Sequence, residues 1–378
     1  MNLEDFLEHK TLYYDKIELN AMQLAWQKLS SIVNLGFVVH IVGTNGKGTT
    51  GRFLAHYLSK IGKKTLHYSS PHISKFNERI WINGEDISDE NLEKSHQKLQ
   101  TILDSELLDR LTYFEYTTLL AILLSDNFDF LIFEAGLGGE FDATSVVPRV
   151  LSLITTIDFD HQAFLGNTID EIAATKLRSC QNDLIIGHQV HQEIYNKANE
   201  LFEPQKILHF DKNLEIPNFL NLPNYLQNNL RLSCAALHYC GFEINFELFL
   251  DTKITGRFHK ISPNITIDVG HNPLAAREIA KTLGEQKINI IYGSYKDKDY
   301  KKVLEILKPN ILQLEAIEID DPRIENFEKI IEVANELKIL AKKFDKISSS
   351  SQYLVFGSFK VVEHFLAYFS EQKGSENI

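Results

Sequence analysis

A glycine-rich loop lies near the start of the chain, between an apolar, β-branched run and a helical pattern. The run at 37–42 predicts a buried strand, and residues 49–61 predict the helix that follows it. The loop itself reads Gly43-Thr44-Asn45-Gly46-Lys47-Gly48-Thr49. Glycines let backbone N–H groups approach an anion, and a helix N-terminus adds the positive end of its dipole. The order of strand, loop and helix therefore predicts a phosphate-binding loop within an α/β fold.

The spacing of this loop departs from the common pattern G-x-x-x-x-G-K-[ST]. Gly48 intervenes between Lys47 and Thr49, so the loop is a variant form. Lys47 is predicted to reach the phosphates, and the hydroxyl of Thr49 or Thr50 is predicted to bind magnesium. The alternative is a glycine-rich turn without a ligand. The intact strand and helix on either side favour the phosphate site.

The rest of the chain continues the alternation of strand and helix patterns. Further strands are predicted at 128–133, 150–155, 183–186, 265–269, 288–292, 312–317 and 353–356. This alternation predicts an α/β architecture with a mostly parallel sheet. Because 378 residues exceed the ~250–300 at which single cores stop growing, we expect two domains. The polar stretch at 251–263 separates a P-loop nucleotide-binding domain over 1–254 from a smaller Rossmann-like α/β domain over 255–378.

Charge, hydropathy and cysteine content exclude several classes of protein. The net charge of −12 argues against a general nucleic-acid binder, because phosphate neutralisation requires a basic surface. No apolar stretch reaches ~18 residues, and the acidic first five residues do not resemble a signal peptide. Cys180, Cys234 and Cys240 have neither zinc-site nor disulfide-framework spacing. We therefore expect a cytoplasmic protein with no membrane span and no nucleic-acid partner.

A carboxylate follows the predicted strand at 128–133. Glu134 precedes a glycine-rich turn at 136–139. In open α/β sheets, ligands bind at the carboxyl ends of the strands, where the metal-binding acids of nucleotide sites also lie. Glu134 is therefore predicted to bind magnesium, the alternative being a solvated acid at a strand end. Taken alone, His161 and Lys176 are more typical of a loop residue and a solvated helix charge.

Several motifs together resemble the folylpolyglutamate synthase and dihydrofolate synthase family, which is related to the Mur-type peptidoglycan ligases. The resemblance spans nearly the whole chain, with the motifs in order. In the first half, 43–49 resembles G-T-N-G-K-G-[ST], 70–72 resembles S-P-H, 134–144 resembles E-x-G-L-G-G-R-[LF]-D-A-T and 160–168 resembles D-H-x-x-x-L-G-x-T. In the second half, 255–258 resembles T-G-R-x, 268–273 resembles D-x-A-H-N-P, 293–299 resembles G-x-x-x-D-K-D and 357–358 resembles a terminal G-S.

The resemblance implies a metal site, a nucleotide site and a reaction centre. The implied magnesium ligands are Thr49, Ser70, Glu134 and His161. The implied ATP contacts are Asn45, Gly46, Lys47, Gly48, Thr49, Asn229 (with Asn228 an equal neighbour), Arg257 in the link between domains, and Asp268. The implied catalytic residues are Lys47, His271 and Lys176, the last at the position of the family's carbamylated lysine. The sequence around His271 is equally compatible with a polar residue that caps a helix.

The resemblance also implies a slot for a pterin ring. Its lining would consist of Thr112, Tyr113, Phe114, Glu115, Phe141, Asp142 and Ala143, with a further dihydropteroate contact at 14–17. Tyr113 and Phe114 are equally compatible with a hydrophobic core. The chain departs from the family pattern at Glu140 (family arginine), at Ser145 (usually asparagine) and at 175–179, where T-K-L-R-S replaces E-K-A-G-I.

These expectations describe an ATP-dependent carbon–nitrogen ligase of the acid–amino acid class. The resemblance implies that ATP converts a carboxylate into an acyl phosphate, which the amine of L-glutamate attacks. Dihydropteroate and reduced folates are the implied acceptors, and extension of reduced folates alone is the alternative. The domain at 1–254 would bind ATP and the pterin, and the domain at 255–378 would serve glutamate ligation. We expect a monomer.

Two other functions are compatible with a phosphate-binding loop. A P-loop phosphotransferase or nucleotide switch would bind ATP without ligating anything, but it does not require a second domain with the T-G-R and H-N-P segments. A Mur-type ligase acting on a nucleotide-linked peptide is opposed by Gly48 and by the lack of room for a dedicated N-terminal domain.

Overall fold

The computed structural model describes residues 1–11 and 19–375. The chain forms two compact units, Met1–Leu222 with Leu226–Thr252, and Pro223–Tyr225 with Lys253–Ile378. Each unit is an α/β structure with its own sheet, which confirms the predicted fold class. The predicted dihydropteroate contact at 14–17 lies outside the described residues.

Within the described residues, the first unit contains an eight-stranded sheet. Its strands are β1 (Phe37–Val42), β2 (Thr65–Tyr68), β3 (Ile80–Ile82), β4 (Glu85–Asp86), β5 (Phe130–Glu134), β6 (Leu151–Ile154), β7 (Asp183–Ile186) and β8 (Ile207–His209). Their spatial order is β4-β3-β2-β5-β1-β6-β7-β8. β3 pairs antiparallel with β2 and β4, and the other pairs are parallel. The sheet is therefore mostly parallel, as the sequence predicts.

Ten α-helices occur in the part of the chain from residue 1 to 252 that the structure describes. They are α1 (Leu3–Glu8), α2 (Leu19–Ser30), α3 (Lys47–Lys60), α4 (Asp89–Ile102), α5 (Ser105–Arg110), α6 (Tyr113–Leu124), α7 (Gln162–Leu165), α8 (Ile169–Leu177), α9 (Glu193–Leu201) and α10 (Asn224–Tyr239). α3 begins at Lys47, two residues before the predicted start, because its first turn includes the end of the glycine-rich loop. Most of α6 is buried, and it packs with residues of α2 and α4 in one core cluster.

The carboxyl ends of the central strands meet at one edge of this sheet. Ile41 of β1 is level with Glu134 of β5, and Val42 is level with Ile154 of β6. Apolar side chains bury these strands on both faces, as expected for parallel strands covered by helices. The loops that follow β1, β5 and β6 are consequently neighbours. The predicted phosphate and metal sites belong to this edge.

Close packing between α3 and β2 gives a testable prediction about stability. A Cβ atom added at Gly51 of α3 would lie 2.3 Å from Nε2 of His67, which is buried in β2. We therefore expect Gly51→Ala to lower the free energy of unfolding by about 1–3 kcal/mol, because overpacking a dense core forces neighbours to shift. Thermal unfolding measures the effect, with Ser59→Ala on the less crowded end of α3 as the control. Equal melting temperatures for the two variants would contradict the packing argument.

The second unit contains a six-stranded sheet within the described residues. Its strands are β9 (His259–Ser262), β10 (Ile265–Asp268), β11 (Ile288–Tyr292), β12 (Ile311–Ala316), β13 (Ala341–Lys343) and β14 (Tyr353–Phe356), in the spatial order β13-β12-β11-β14-β10-β9. Its helices are α11 (Pro273–Leu283), α12 (Tyr300–Leu307), α13 (Phe327–Glu336) and α14 (Phe359–Ser375). β9 is antiparallel to β10, and the other pairs are parallel. Asp268, Phe356 and Tyr292 are level at the carboxyl edge.

The structure confirms each predicted strand and adds short ones. Predictions at 37–42, 183–186, 288–292 and 353–356 agree with the strand bounds, and the others differ by one or two residues. The sequence did not predict β2, β3, β4, β8, β9 and β13, which have two to four residues each. Across the described ranges, no helix combines the length and apolar character needed to cross a membrane.

Candidate functional site

The glycine-rich loop runs from the end of β1 into α3 and is tied to the segment that follows β6. The backbone N–H groups of Thr44 and Asn45 donate to the carbonyl of Thr156 at 2.9 and 3.2 Å. Gly46, which caps α3, has a left-handed backbone with φ of 92°. A Cβ atom there would lie 2.4 Å from Oδ1 of Asn229, so the loop backbone and this amide are in close approach. A glycine is required at this turn for both reasons.

Asn229 and Asn228 have different surroundings in α10. Asn229 is buried and lies against Gly46 of the loop. Asn228 instead accepts a hydrogen bond from Arg231 at 3.0 Å. Of the two neighbours that the sequence left open as nucleotide contacts, the structure brings Asn229 to the loop.

The Lys47 ammonium lies over the loop. Its Nζ donates to the carbonyls of Gly43 and Thr44, both at 3.3 Å, and lies 3.9 Å from Oε1 of Glu134. Only 15% of the side chain is exposed. Because these contacts are long for hydrogen bonds, the ammonium can donate instead to phosphate oxygens that enter the loop.

Glu134 ends β5 and faces the start of α3. Its carboxylate is buried, and Oε2 accepts a hydrogen bond from the backbone N–H of Ser70 at 3.0 Å. A Cβ atom at Gly48 would lie 3.1 Å from the same oxygen, so the glycine leaves the carboxylate room beside the helix. The variant glycine of the loop, Ser70 and Glu134 are thus brought together as neighbours.

Lys176 is buried, against the general expectation that a helix lysine is solvated. Its Nζ donates to the carbonyl of Gly43 at 2.9 Å, the same oxygen that Lys47 contacts. Burial, reinforced by the positive charge of Lys47, lowers the pKa of Lys176 to about 7, although Asp160 and Asp142 act in the opposite direction. A large fraction of this amine is therefore neutral at physiological pH.

His161 follows β6 and caps α7 with a left-handed backbone, φ 50°. Its ring is 40% exposed and lies 3.8 Å from the Asp160 carboxylate. In the described parts of the chain, no three His, Cys, Asp or Glu side chains are grouped as a metal site. Magnesium at the predicted position would therefore need the hydroxyl oxygens of Thr49 and Ser70 besides Glu134 and His161, and hard cations accept such oxygen ligands.

Three of the seven predicted pterin residues stabilise local structure. Glu115 and Thr112 form a capping box at the start of α6, where Oε2 of Glu115 accepts from the N–H and the hydroxyl of Thr112 at 2.9 and 3.0 Å. Asp142 accepts from the N–H groups of Gly136 and Leu137 at 2.9 and 3.0 Å. Burial raises the pKa of Asp142, and these hydrogen bonds oppose that rise. Asp142 thereby fixes the turn after β5.

The other predicted pterin residues include three aromatic side chains at different depths. Phe141 is 50% exposed, Tyr113 is partly buried, and the Phe114 ring lies against Gly136. The Arg79 guanidinium, which the sequence reasoning missed, lies 5.4 Å from the Tyr113 ring centre. Ala143, the last of the seven, is buried beside this turn.

Arg79 is a nearly buried cation. It is 9% exposed, and its Nε donates to Nδ1 of His72 at 2.8 Å. Phe76 lies 6.0 Å from the same guanidinium. The only sequence signal for this group was a charged residue among aromatic ones shortly after the S-P-H segment.

In the second unit, Asp268 ends β10 and holds two turns. Its Oδ2 accepts from the N–H of Phe258 at 2.8 Å and from the hydroxyl of Tyr225 at 2.9 Å, and Oδ1 accepts from the N–H of Gly270 at 2.7 Å. Burial raises the pKa of Asp268, and the nearby Arg257 opposes this. Asp268 thus fastens the predicted T-G-R-x and H-N-P segments to the strand end.

Arg257 and His271 lie on these two turns. The Arg257 guanidinium lies 5.2 Å from the Phe359 ring centre and donates to the carbonyl of Gly256 at 3.1 Å. Nδ1 of His271 lies 3.1 Å from the carbonyl of Val269. The cap of α11 is Asn272, which accepts from Ala275 at 2.9 Å. Asn272, and not His271, is therefore the residue that caps α11.

Known proteins resemble the chain along nearly its whole length. No family model matches it. The dihydrofolate synthase/folylpolyglutamate synthase of Haemophilus influenzae is 30% identical over 414 residues, covering 92% of each chain. The solved Helicobacter pylori folylpolyglutamate synthetase is 34% identical, with a TM-score of 0.77 and 98% of each chain covered. The bifunctional Yersinia pestis enzyme complexed with AMPPNP and Mn ion is 26% identical, with a TM-score of 0.83 and 97% of each chain covered.

Proposed function

Since the chain belongs to the dihydrofolate synthase/folylpolyglutamate synthase family, we propose that it joins L-glutamate to dihydropteroate and to reduced folates. It is an ATP-dependent acid–amino acid ligase. The observation that carries the proposal is the convergence of Lys47, Lys176, Glu134 and Asn229 on the glycine-rich loop. Polyglutamate extension of reduced folates alone is the second candidate.

The loop and its neighbours suit a nucleotide with a divalent cation. A side chain at position 48 would crowd Glu134, and one at position 46 would crowd Asn229. The two glycines therefore keep space open around the loop, which supports a phosphate-binding site there. Lys47 would bind the phosphates together with the N–H groups of 45–49. Thr49, Ser70, Glu134 and His161 would hold magnesium. Magnesium, when bound, neutralises charge on the phosphate oxygens.

Amide formation requires the acceptor carboxylate to gain a leaving group. A carboxylate oxygen takes the γ-phosphoryl group of ATP, giving an acyl phosphate and ADP. The neutral amine of glutamate then attacks the acyl carbon, phosphate leaves with the electron pair of the broken C–O bond, and the nitrogen loses a proton. Lys47 would offset negative charge during the first step. His271 would orient or polarise the second.

The burial of Lys176 supports carbamylation. Its neutral amine would attack CO₂ to form an N–C bond, and one proton would leave, giving an anionic carbamate. The lowered pKa supplies the neutral amine at physiological pH. The product would place a carboxylate-like group able to hold metal beside Lys47.

The acceptor would lie near the aromatic side chains of the first unit. Tyr113, Phe114 and Phe141 offer flat apolar surface for a pterin. Two departures from the family pattern form a pair here, since Oε2 of Glu140 lies 3.5 Å from the Arg178 guanidinium. The negative charge at 140 is thus accompanied by a positive charge at the C-terminal cap of α8.

The two units would have different functions. We propose that the first binds ATP and the acceptor, and that the second, with Arg257, Asp268 and His271, serves glutamate ligation. Cys180, Cys234 and Cys240 are unpaired thiols, which supports a cytoplasmic location. Monomeric state stays a prediction.

A phosphate-release assay tests the function. With ATP, magnesium and L-glutamate, we expect release with dihydropteroate and also with tetrahydrofolate, and only background release when glutamate is omitted. Release with tetrahydrofolate alone would favour the extension-only enzyme. Release with neither acceptor would refute the folate assignment, and acceptor-independent ATP turnover would favour a phosphotransferase or switch.

A further inference from the structure

The segment that follows β7 is joined to the segment that follows β6 by several hydrogen bonds. Oε1 of Gln189 accepts from the N–H of Ile157 at 2.9 Å, and Nε2 of the same amide donates to the carbonyl of Thr155 at 3.0 Å. The hydroxyl of Thr156 donates to the carbonyl of His188 at 2.9 Å. We name 155–158 the β6 segment and 188–191 the β7 segment.

His191 adds a fourth link between these segments. Its Nε2 lies 2.9 Å from Oδ1 of Asp158, and that oxygen also accepts from the N–H of Phe159 at 2.8 Å. The Asp158 side chain is 5% exposed, whereas the His191 side chain is 28% exposed. A hydrogen bond to a buried carboxylate restricts that carboxylate far more than a surface ion pair would.

The β6 segment in turn holds the glycine-rich loop. The Thr44 hydroxyl donates to the carbonyl of Asp158 at 2.9 Å and accepts from the N–H of Asp158 at 3.1 Å. The carbonyl of Thr156 accepts from the N–H groups of Thr44 and Asn45. Asp158 and Thr156 therefore each bond to the loop on one side and to the β7 segment on the other.

We propose that Gln189 and His191 are positioning residues that preorganise the nucleotide loop through the β6 segment. The inference rests on the proposed function, because it takes the loop to be the site of nucleotide phosphates. A loop that is already fixed loses less conformational freedom when it binds, so its fixation tightens binding. Gln189 and His191 act through Thr156 and Asp158, which face the loop.

The two residues differ in what they fix. The Gln189 side chain bonds to backbone groups of the β6 segment and of Ile154 at the end of β6, so it sets the path of that segment. His191 bonds to the Asp158 side chain, next to the backbone groups that Thr44 contacts. The His191 pair can be removed without leaving a backbone group unpaired, which makes it the cleaner target for substitution.

The central experiment compares His191→Leu with the unaltered full-length protein. Equilibrium binding of N-methylanthraniloyl-ADP with magnesium is followed by fluorescence, and turnover by phosphate release. We expect the Kd for the nucleotide and the KM for ATP to rise about tenfold, equivalent to about 1.4 kcal/mol. At saturating ATP, kcat should remain within about twofold, because the groups that contact the reacting atoms are retained.

Two further variants separate positioning from general stability. His191→Gln keeps a side-chain N–H donor and should recover most of the nucleotide affinity. His209→Leu, at the end of the adjacent strand β8, should leave affinity and turnover unchanged. Equal nucleotide affinity in His191→Leu and the unaltered protein would overturn the proposal, as would a matched loss in the His209 variant. Should His191→Leu fail to fold, Asp158→Asn with the same binding measurement replaces it.

A double-mutant cycle tests whether the effect passes through the loop. Thr44→Val removes the hydroxyl that bonds to Asp158, so its effect and that of His191→Leu should not add. We expect the double variant to bind the nucleotide about as weakly as the weaker-binding single variant. Additive losses would contradict a shared route. Failure of the unaltered protein to bind the nucleotide at all would instead refute the proposed function.

Discussion

Lys47→Ala is expected to lower turnover by about 10³-fold, in line with the loss of one electrostatic group that acts on the transition state. Nζ of Lys47 lies among the carbonyls of Gly43 and Thr44 and 3.9 Å from Glu134, so it is placed to meet phosphate oxygens entering the loop. Alanine leaves the loop backbone in place but removes the cation. Steady-state phosphate release measures the loss.

The matched control is Lys60→Ala, in the last turn of the same helix. Lys60 is paired with Asp251 and is 41% exposed, so its removal should change turnover by less than about twofold, as for most surface charges. Near-normal product formation by Lys47→Ala would show that the nucleotide has been assigned to the wrong loop. Equal melting temperatures of the two variants would show that any difference comes from the site.

Removal of Lys176 is the second large effect expected. Lys176→Ala should lose about 10²–10³-fold in turnover, comparable to other single groups that stabilise charge at reacting centres. If the anionic carbamate is the active form, small carboxylic acids such as formate or acetate should restore part of the activity. Lys197→Ala, on α9, serves as the control, since Lys197 is paired with the exposed carboxylates of Asp170 and Glu200.

Carbamylation of Lys176 should increase with pH. Because burial lowers the pKa of Lys176 to about 7, the neutral fraction of this amine rises as the pH increases from 6 to 8. At constant dissolved CO₂, the carbamate and the activity should therefore both increase over this range. Carbon-13 NMR with labelled bicarbonate measures the carbamate directly. Full activity in CO₂-depleted buffer, with no carbamate signal, would remove Lys176 from this role.

Local patterns predicted well where the glycine-rich loop and Glu134 lie in the fold. The loop at 43–49 and Glu134 follow strands whose apolar, β-branched runs are long and buried, so the sequence located their carboxyl ends within a residue or two. The short strands β3 and β4 have three and two residues. A run of two or three residues is too short to show the alternation of apolar and polar side chains that marks a strand. The sequence therefore did not predict β3 and β4.

Long-range contacts were beyond the reach of the sequence pattern. Nothing near Lys176 in the chain indicates that its ammonium is buried against Gly43, 133 positions away. Gln189 and His191 likewise lie in a polar stretch with no motif, and their role depends on the pairing of β6 with β7. Thr112, Glu115 and Asp142 were predicted from the resemblance alone, which does not distinguish a substrate contact from a capping residue.

The carbonyl of Gly43 accepts hydrogen bonds from both Lys47 and Lys176. Because the two side chains share one acceptor, the state of each amine affects the other. Conversion of Lys176 to an anionic carbamate would remove one hydrogen-bond donor from this oxygen and place a negative charge near Lys47. Thermodynamic reciprocity then requires that, if carbamylation strengthens nucleotide binding, the nucleotide strengthens retention of CO₂ by the same factor. In that case the carbamate would be held more firmly in the nucleotide-bound enzyme than in the nucleotide-free enzyme.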